Sequence, residues 1–339
     1  GGEGGGSGGG GPIVNMAPKQ LATIKAVEEA FEARDAKKFG ALFTDDVTLN
    51  VSGRPDVRGR AGAEQGFAHV MSTYGKARFK AKRIFTKGDV AIVEWTMSGT
   101  HEGALHGIDP THKPVGFNGA EVDRFAPDGR IKERHLYFDQ ATPLGQIGKP
   151  IGDGVRPVPA DDGGAVAHVA STNNKEESDN VALLDRINRA WESRDEAKWS
   201  ALLADEVEWD DFAFTKPAKG KDAVRSYFRI FSTAFPEVTS STVNAWGVGS
   251  FVIEEGTFSG VQKGPYMNVP PTSQMAVLYE LNIVELSGGK IKKGTTYSNE
   301  LDMREQLLDV ARHALEAGDQ LRAPLGVDRD AAVRHLQRL

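Results

Sequence analysis

The chain has 339 residues, of which 39% are hydrophobic and 26% are charged, with a formal net charge of −6. This length and composition predict a globular protein of about two domains. The acidic balance disfavours a nucleic-acid partner, and no apolar run approaches the ~18 residues that a membrane span needs. The absence of cysteine excludes disulfides, thiol catalysis and thiolate metal sites.

The chain opens with GGEGGGSGGGG, a composition that cannot bury side chains, so residues 1–18 are predicted to form a flexible tether. Two origins fit this stretch: a spacer left behind a removed signal peptide, or an engineered linker. We favour the first. It predicts an exported or periplasmic protein rather than a cytoplasmic one, and it allows a lipid anchor on an upstream segment.

Two segments of the chain are repeated with the same offset of 160 residues. FEARDAKKFGALFTDDV at Phe31–Val47 matches WESRDEAKWSALLADEV at Trp191–Val207. GRIKERHLYFDQATPLGQ at Gly129–Gln146 matches GKIKKGTTYSNELDMREQ at Gly289–Gln306. A shared offset at both ends of a ~130-residue unit indicates a tandem duplication.

In chain order, each copy begins with helical periodicity and continues with extended runs. Leu21, Ile24 and Val27 have the spacing of an amphipathic helix, which the pair Arg34-Asp35 interrupts. A further helix is expected through Gly66 to Met71. Three strands should follow, at Asp89–Thr100, Val115–Phe125 and Gly129–Phe138. Helices followed by antiparallel strands predict an α+β domain whose curved sheet wraps the helices.

These patterns divide the remaining chain into four segments. Residues 19–148 and 181–318 are predicted to be the two domains. Residues 149–180 contain several prolines and the polar run STNNKEESDN, and they are expected to be a linker that buries no face. Residues 319–339 are expected to form a C-terminal helical tail.

Three motifs of the first copy resemble the SnoaL-like polyketide cyclase branch of the nuclear transport factor two superfamily. They are ARDAKKFGALFTDDV, GTHEGALHGIDPTHKPV and GRIKERHLYFDQATPLGQIG, and the second copy keeps weaker forms in GTFSG and GGKIKKGTTYSNELDMREQ. The resemblance implies two cone-shaped α+β domains, each with a strongly curved antiparallel sheet wrapped on helices around an apolar pocket.

The resemblance also implies a ligand and a mode of assembly. We expect a small apolar ligand and chemistry without a cofactor or metal. Because single-domain members commonly pair through their sheets, the tandem chain is expected to form this contact within itself, as an intrachain pseudo-dimer. The reaction is not fixed by the fold, which also supports isomerases, epoxide hydrolases, dehydratases and proteins without catalysis.

The last strand of copy one carries the main candidates for catalysis. His135, Tyr137 and Asp139 share one face by the two-residue alternation of a strand. If that face lines the cone, the pKa of a carboxyl there would be raised toward a value useful for proton transfer. The resemblance assigns the general acid/base to Asp139, with His135 and Tyr137 as orienting donors. The alternative is that Asp139 caps the helix near Thr142 or pairs with Arg134.

Further residues are predicted to contact a ligand without reacting. His106 belongs to HEGALHGIDPTHKP, whose histidine spacings fit none of the usual zinc patterns, so a loop at the pocket mouth is expected. Glu121 and Asp123 lie on a strand that lacks the histidine the cyclases carry there. They are candidates for polar wall groups, with carboxylates pointing into water as the alternative.

Copy two keeps Tyr297 but has Thr295 in place of His135 and Asn299 in place of Asp139. Because asparagine cannot transfer a proton near neutral pH, acid/base activity is expected in domain one, with Tyr297 and Asn299 as ligand contacts. Copy two has three other possible pocket carboxylates, Asp210, Asp211 and Glu254, but solvation of an exposed face explains them adequately.

Two classes of function fit these observations. The first is an enzyme of the cyclase, isomerase or dehydratase-like lyase type that acts on a small hydrophobic carbonyl compound. The second is a non-catalytic protein that binds small apolar ligands or a protein partner.

Overall fold

The computed structural model describes residues 15–152, 154–161 and 163–308. The predicted tail at 319–339, and residues 1–14 of the predicted tether, lie outside the described residues. Within the described part of the chain, no helix is both long and apolar enough to span a bilayer.

Domain one packs helices against a strongly curved sheet. Its helices are α1 (Ala17–Ala33), α2 (Ala36–Gly40), α3 (Arg60–Thr73) and α4 (Ala141–Gln146). Its strands are β1 (Phe43–Val51), β2 (Val57–Arg58), β3 (Tyr74–Lys87), β4 (Val90–His101), β5 (Pro114–Phe125) and β6 (Ile131–Phe138). Neighbouring strands follow the order β2-β1-β6-β5-β4-β3, with β1 and β6 parallel and the other pairs antiparallel.

Domain two repeats this architecture, preceded by the short strand β7 (Ala167–Ala170). Its helices are α5 (Lys175–Glu192), α6 (Glu196–Ser200), α7 (Lys221–Ala234) and α8 (Glu300–Leu308). Its strands are β8 (Leu203–Asp211), β9 (Ala218–Lys219), β10 (Val238–Val248), β11 (Phe251–Val261), β12 (Met275–Ser287) and β13 (Lys290–Tyr297). The order β10-β11-β12-β13-β8-β9 matches that of domain one. The predicted α+β fold with two curved sheets is therefore confirmed, and the sheets are curved without closing.

The predicted helix break is formed in the same way in both repeats. Arg34 and Arg194 end α1 and α5 with left-handed backbone, at φ 49° and 58°. Asp35 and Asp195 then accept hydrogen bonds from two backbone N–H groups of the next short helix. This N-cap satisfies donors that the helix itself leaves free, so the chain reverses and lays a helix pair across the sheet.

The segment 149–180 buries more than its composition suggested. Strand β7 extends the sheet of domain one by pairing parallel to β3. Glu177 is 1% exposed, and it accepts hydrogen bonds from Lys87 Nζ at 3.1 Å and from the Gly249 backbone N–H at 2.9 Å. The segment thus ties the two domains together through satisfied polar groups, although its boundaries as a linker stay a prediction.

The two sheets pack against each other through a shared apolar cluster. Domain one contributes Phe85, Val90, Ile92, Ala120, Val122 and Tyr137, and domain two contributes Trp246, Val248, Ile253, Leu281, Ile283 and Tyr297. The contact is reciprocal, because the Tyr137 hydroxyl donates to Glu255 at 2.9 Å while the Tyr297 hydroxyl donates to Glu94 at 2.5 Å. This is the intrachain pair of domains expected from the repeat.

Candidate functional site

Strand β6 has two buried faces, and the structure places its candidate residues on the face opposite to the one expected. Leu136 and Phe138 pack into the core of domain one, and the Arg134 guanidinium lies 5.0 Å from the Phe43 ring centre. His135 and Tyr137 point the other way, toward domain two. The alternation along the strand was predicted correctly, but the polar and aromatic face forms the domain contact rather than the wall of the cone.

His135 bridges two carboxylates at this contact. Its Nδ1 lies 2.6 Å from Glu255 of domain two and its Nε2 lies 2.7 Å from Glu133. Only the imidazolium form donates from both nitrogens. Burial lowers the pKa of His135, but the hydrogen bonds and charges of Glu255 and Glu133 outweigh burial and raise it. In the pseudo-symmetric half of the contact, Glu94 is paired instead with Arg83, whose charge does not change with pH.

The domain contact is therefore expected to weaken as pH rises. Because the pKa of His135 is raised in the folded state, its contribution to stability is fully present below the unfolded pKa of 6.5. That contribution is lost as pH rises through the folded-state pKa. We expect His135→Thr, the residue type of the other repeat, to lower the free energy of unfolding by about 1.5–3 kcal/mol at pH 6 and much less at pH 9. Denaturant unfolding at both pH values measures this. The exposed His69→Thr is the control, and an equal loss at both pH values for His135→Thr would contradict the expectation.

Asp139 lies at the end of β6, buried between the domains. Its carboxylate accepts hydrogen bonds from the Ala141 backbone N–H at 3.1 Å, Thr142 Oγ1 at 2.7 Å and the Glu300 backbone N–H at 2.9 Å. Burial raises its pKa to about 6, against the opposing effect of these hydrogen bonds. The carboxylate thus caps α4, the alternative that the sequence left open, and also contacts the first residue of α8.

The two candidates of the second copy also lie at the domain contact. Asn299 exchanges hydrogen bonds with Gln140 of domain one, through its Oδ1 at 3.1 Å and its Nδ2 at 2.9 Å. Tyr297 belongs to the apolar cluster between the sheets. His106 is separate from them, half-buried in the loop after β4 with left-handed backbone at φ 48°.

Glu121 and Asp123 do face the cone of domain one, where they hold a buried arginine. Arg134 donates to both Asp123 oxygens, at 2.8 and 2.9 Å, and to Glu121 at 2.8 Å. All three side chains are at most 4% exposed. They are therefore wall groups of the cone rather than water-facing carboxylates.

The rest of this cone is filled by aromatic rings. Trp95 packs 5.5 Å from Phe79, and Phe117 stacks on Phe138 at 5.5 Å between ring centres. A Cβ added at Gly119 would lie 2.4 Å from the Trp95 ring, so glycine is required there. Side chains occupy the space in which a ligand of domain one was expected.

The cone of domain two, in contrast, holds a cavity of about 60 Å³. Its lining shares an aromatic character, with six rings from Trp191, Trp199, Trp209, Tyr227, Phe231 and Phe258. Polar groups of the lining include the carboxyls of Glu254 and Glu280 and the amide of Asn282. The repeat that had lost its predicted acid/base residue thus contains the cavity.

Two exchanges between the repeats explain this difference. Trp95 pairs with Gly119 across β4 and β5, whereas Gly256 pairs with Glu280 across β11 and β12. The repeats are aligned through their strand partners, because Ala120 lies opposite Tyr137 as Leu281 lies opposite Tyr297. In this alignment Gly119 corresponds to Glu280, and Trp95 corresponds to Gly256. The large ring is replaced by glycine and the glycine by a carboxyl, so domain two gains space and an acid at the same point.

Glu280 is the most perturbed acid of the cavity lining. Burial raises its pKa to about 8, and the charges of Asp211 and Glu254 add to this effect. The Asn282 Nδ2 group donates to Glu280 at 3.1 Å, and Asn282 Oδ1 accepts from Thr296 at 2.7 Å. These contacts hold the carboxyl in place while leaving it mostly protonated at neutral pH.

Two further carboxyls lie close enough to interact with it. Glu254 accepts hydrogen bonds from Thr242 at 2.7 Å and Asn188 at 2.9 Å, and burial raises its pKa. Asp211 accepts from the Tyr227 hydroxyl at 2.7 Å, and burial raises its pKa to about 7. From the sequence, Asp211 and Glu254 were possible pocket carboxylates for which solvation was an adequate explanation, and Glu280 was not predicted. The replacement of Trp95 by Gly256 was the one signal of the open cone.

Two curved sheets, each wrapped on its helices and packed face to face, define a tandem protein of the nuclear transport factor two class. The family model described as SnoaL-like polyketide cyclase matches residues 22–147 and 181–307. The chain therefore belongs to the SnoaL-like family, with two copies of the domain.

Solved structures with related folds each correspond to about one domain of this chain. A protein of Jannaschia sp. CCS1 described as a SnoaL-like polyketide cyclase shares 16% identity over 40% of this chain and 96% of its own, with a TM-score of 0.38. IdmH of Streptomyces antibioticus, described as a polyketide cyclase, shares 24% identity over 38% and 98%, with a TM-score of 0.35. An M. tuberculosis LEH-like epoxide hydrolase shares 15% over 39% and 91%, with a TM-score of 0.33. A search of curated proteins found no match.

Proposed function

We propose that this protein is an acid/base enzyme of the cyclase or isomerase type, with its site in the cavity of domain two and Glu280 as the proton-transfer group. The observation that carries the proposal is a carboxyl of pKa about 8 lining an aromatic cavity. A pKa near the working pH is what a general acid/base requires.

The chemistry follows from the two protonation states of Glu280. Protonated Glu280 can transfer its proton to the carbonyl oxygen of a small hydrophobic ligand. A proton leaves the adjacent carbon in the same step, so that the neutral enol forms and Glu280 becomes a carboxylate. Glu254 lies on the neighbouring strand, where it pairs with Asn282, and its carboxylate is the group placed to accept that proton.

The sequence-based proposal gave this role to Asp139 in domain one, supported by His135 and Tyr137. In the structure the Asp139 carboxylate is engaged by three donors at the start of two helices. We therefore expect Asp139 to act on stability and Glu280 on turnover.

Hydrogen–deuterium exchange at the carbon next to a carbonyl tests both proposals without knowledge of the natural substrate. Small cyclic ketones and β-diketones in D₂O are followed by NMR with wild type, Glu280→Gln and Asp139→Asn. We expect Glu280→Gln to reduce the exchange rate by about 10² or more, the scale for losing one general acid/base, with the fold retained. Asp139→Asn should change the rate by less than about tenfold.

The reverse order of damage would reject Glu280 and restore Asp139. The second candidate function, a binding protein for small apolar ligands, is favoured by the aromatic lining of the cavity in domain two. Ligand-dependent changes in tryptophan fluorescence without exchange would support it, because three tryptophans line the cavity.

A further inference from the structure

The cavity of domain two has a second property that acid/base chemistry on a carbonyl compound does not require. Its six aromatic rings surround a space that two carboxyls also line. Among the described residues that line it, none is a lysine, arginine or histidine. The lining therefore contains potential negative charge with no built-in cation.

Two arginines interact with residues of the lining without lining the cavity themselves. The Arg194 guanidinium stacks on Trp191 at 5.5 Å from the ring centre and also lies 5.9 Å from Phe258. Arg189 acts on Glu254 only through its charge, and its side chain is 54% exposed. Neither arginine is a lining residue, so neither neutralises the carboxyls from inside the cavity.

Aromatic faces attract cations through their quadrupole, and tryptophan does so most strongly. Carboxylates supply the counter-charge that a desolvated cation needs. The cavity is also small, which favours a compact group over a ring system of drug size.

We infer that the ligand of this cavity carries a compact alkylammonium group, held by the aromatic rings and by Glu254 and Glu280. The inference rests on the proposed function only in taking the same cavity as the binding site, and it requires no turnover.

The charges around Glu280 give the inference a definite pH signature. Glu280 on β12 faces Glu254 on β11 and Asp211 on β8, with Tyr227 of α7 bonded to Asp211. Burial and these acids keep Glu280 mostly protonated in the empty cavity. A fixed cation favours its ionised form, so binding should release a proton, and affinity should rise as pH increases toward and through about 8.

Choline and 3,3-dimethylbutan-1-ol test the inference, because they have the same shape and differ in charge. Tryptophan fluorescence and calorimetry in two buffers of different ionisation enthalpy report affinity and proton release. We expect choline to bind about tenfold or more tightly than the neutral isostere, with an affinity that increases from pH 6 to pH 9. Glu254→Gln and Glu280→Gln should each weaken choline binding, and Glu280→Gln should reduce proton release. Glu285→Gln, on the same strand but outside the cavity lining, is the matched control.

Equal affinities for the two ligands, no binding of either, or binding of choline that weakens with pH would overturn the inference. Its failure is distinguishable from that of the proposed function. If the isostere binds as well as choline while Glu280→Gln still loses exchange activity, only the cation is wrong. If choline is preferred while Glu280→Gln leaves exchange unchanged, only the acid/base role is wrong.

Discussion

Arg134→Met is expected to lower the free energy of unfolding by about 3–5 kcal/mol at pH 7, the usual cost of removing one partner from a buried ion pair. Arg134 is 3% exposed, and its guanidinium is shared between Asp123 and Glu121, which are 0% and 1% exposed. Removing it leaves two carboxyls in an aromatic cone without a cation. Among the described residues, Arg134 is the one basic side chain that forms ion pairs with these two carboxyls.

The loss should depend on pH with a known sign. Burial already raises the pKa of Glu121 well above its ordinary value, although Arg134 opposes the shift. Without the arginine, the folded-state pKa of Glu121 rises further, so the variant is least affected where this acid is protonated and loses stability as pH increases. Denaturant unfolding at pH 5 and pH 8 should therefore show the larger difference from wild type at pH 8.

The control for this variant is Arg130→Met. Arg130 forms an exposed pair with Asp128 on the turn before the same strand, and such pairs contribute about 0–1 kcal/mol. A similar loss for the two arginine variants, or a loss for Arg134→Met that is the same at both pH values, would contradict the expectation.

The fold was predictable from the sequence because it depends on features that extend over many residues. The repeat offset, the helix break at Arg34-Asp35 and the strand runs each involve whole segments. The orientation of β6 was not predictable, since alternation defines two faces but does not say which one enters the cone. In this tandem protein both faces of β6 are buried, one in the cone and one in the contact between the domains. The sequence pattern of His135 and Tyr137 therefore does not show which of the two they face.

The site was harder to predict than the fold, because it depends on which residues meet across strands. Glu280 becomes a cavity acid only because Gly256 lies opposite it, a pairing set by the register of β11 and β12. The aligned repeats show that Asn299 of copy two corresponds to Asp139 of copy one. They do not show that Asp139 caps a helix and contacts the other domain. This single residue difference was interpreted as catalytic from the sequence, and in the structure Asp139 contacts the start of a helix and the other domain.

Trp95→Ala should open in domain one the space that domain two already has, at a cost of about 3–5 kcal/mol in the free energy of unfolding. Trp95 is 5% exposed and lies among Phe79, Phe117 and Phe138. Its ring rests on Gly119, which has no side chain to fill the vacated volume. The indole nitrogen of Trp95 is buried without a hydrogen-bond partner, so the loss arises from packing alone.

Indole added to the Trp95→Ala protein distinguishes a cavity from general loosening of the domain. An apolar cavity of this kind binds a matching ring, and a ligand that binds only the folded state raises its stability. We expect indole to raise the melting temperature of Trp95→Ala in proportion to the logarithm of its concentration. It should have little effect on Arg134→Met, which is destabilised to a similar extent but lacks a ring-shaped space. Equal effects of indole on both variants would show that Trp95→Ala does not create a specific cavity. A loss below about 1 kcal/mol for Trp95→Ala would show that this ring does not fill the cone of domain one.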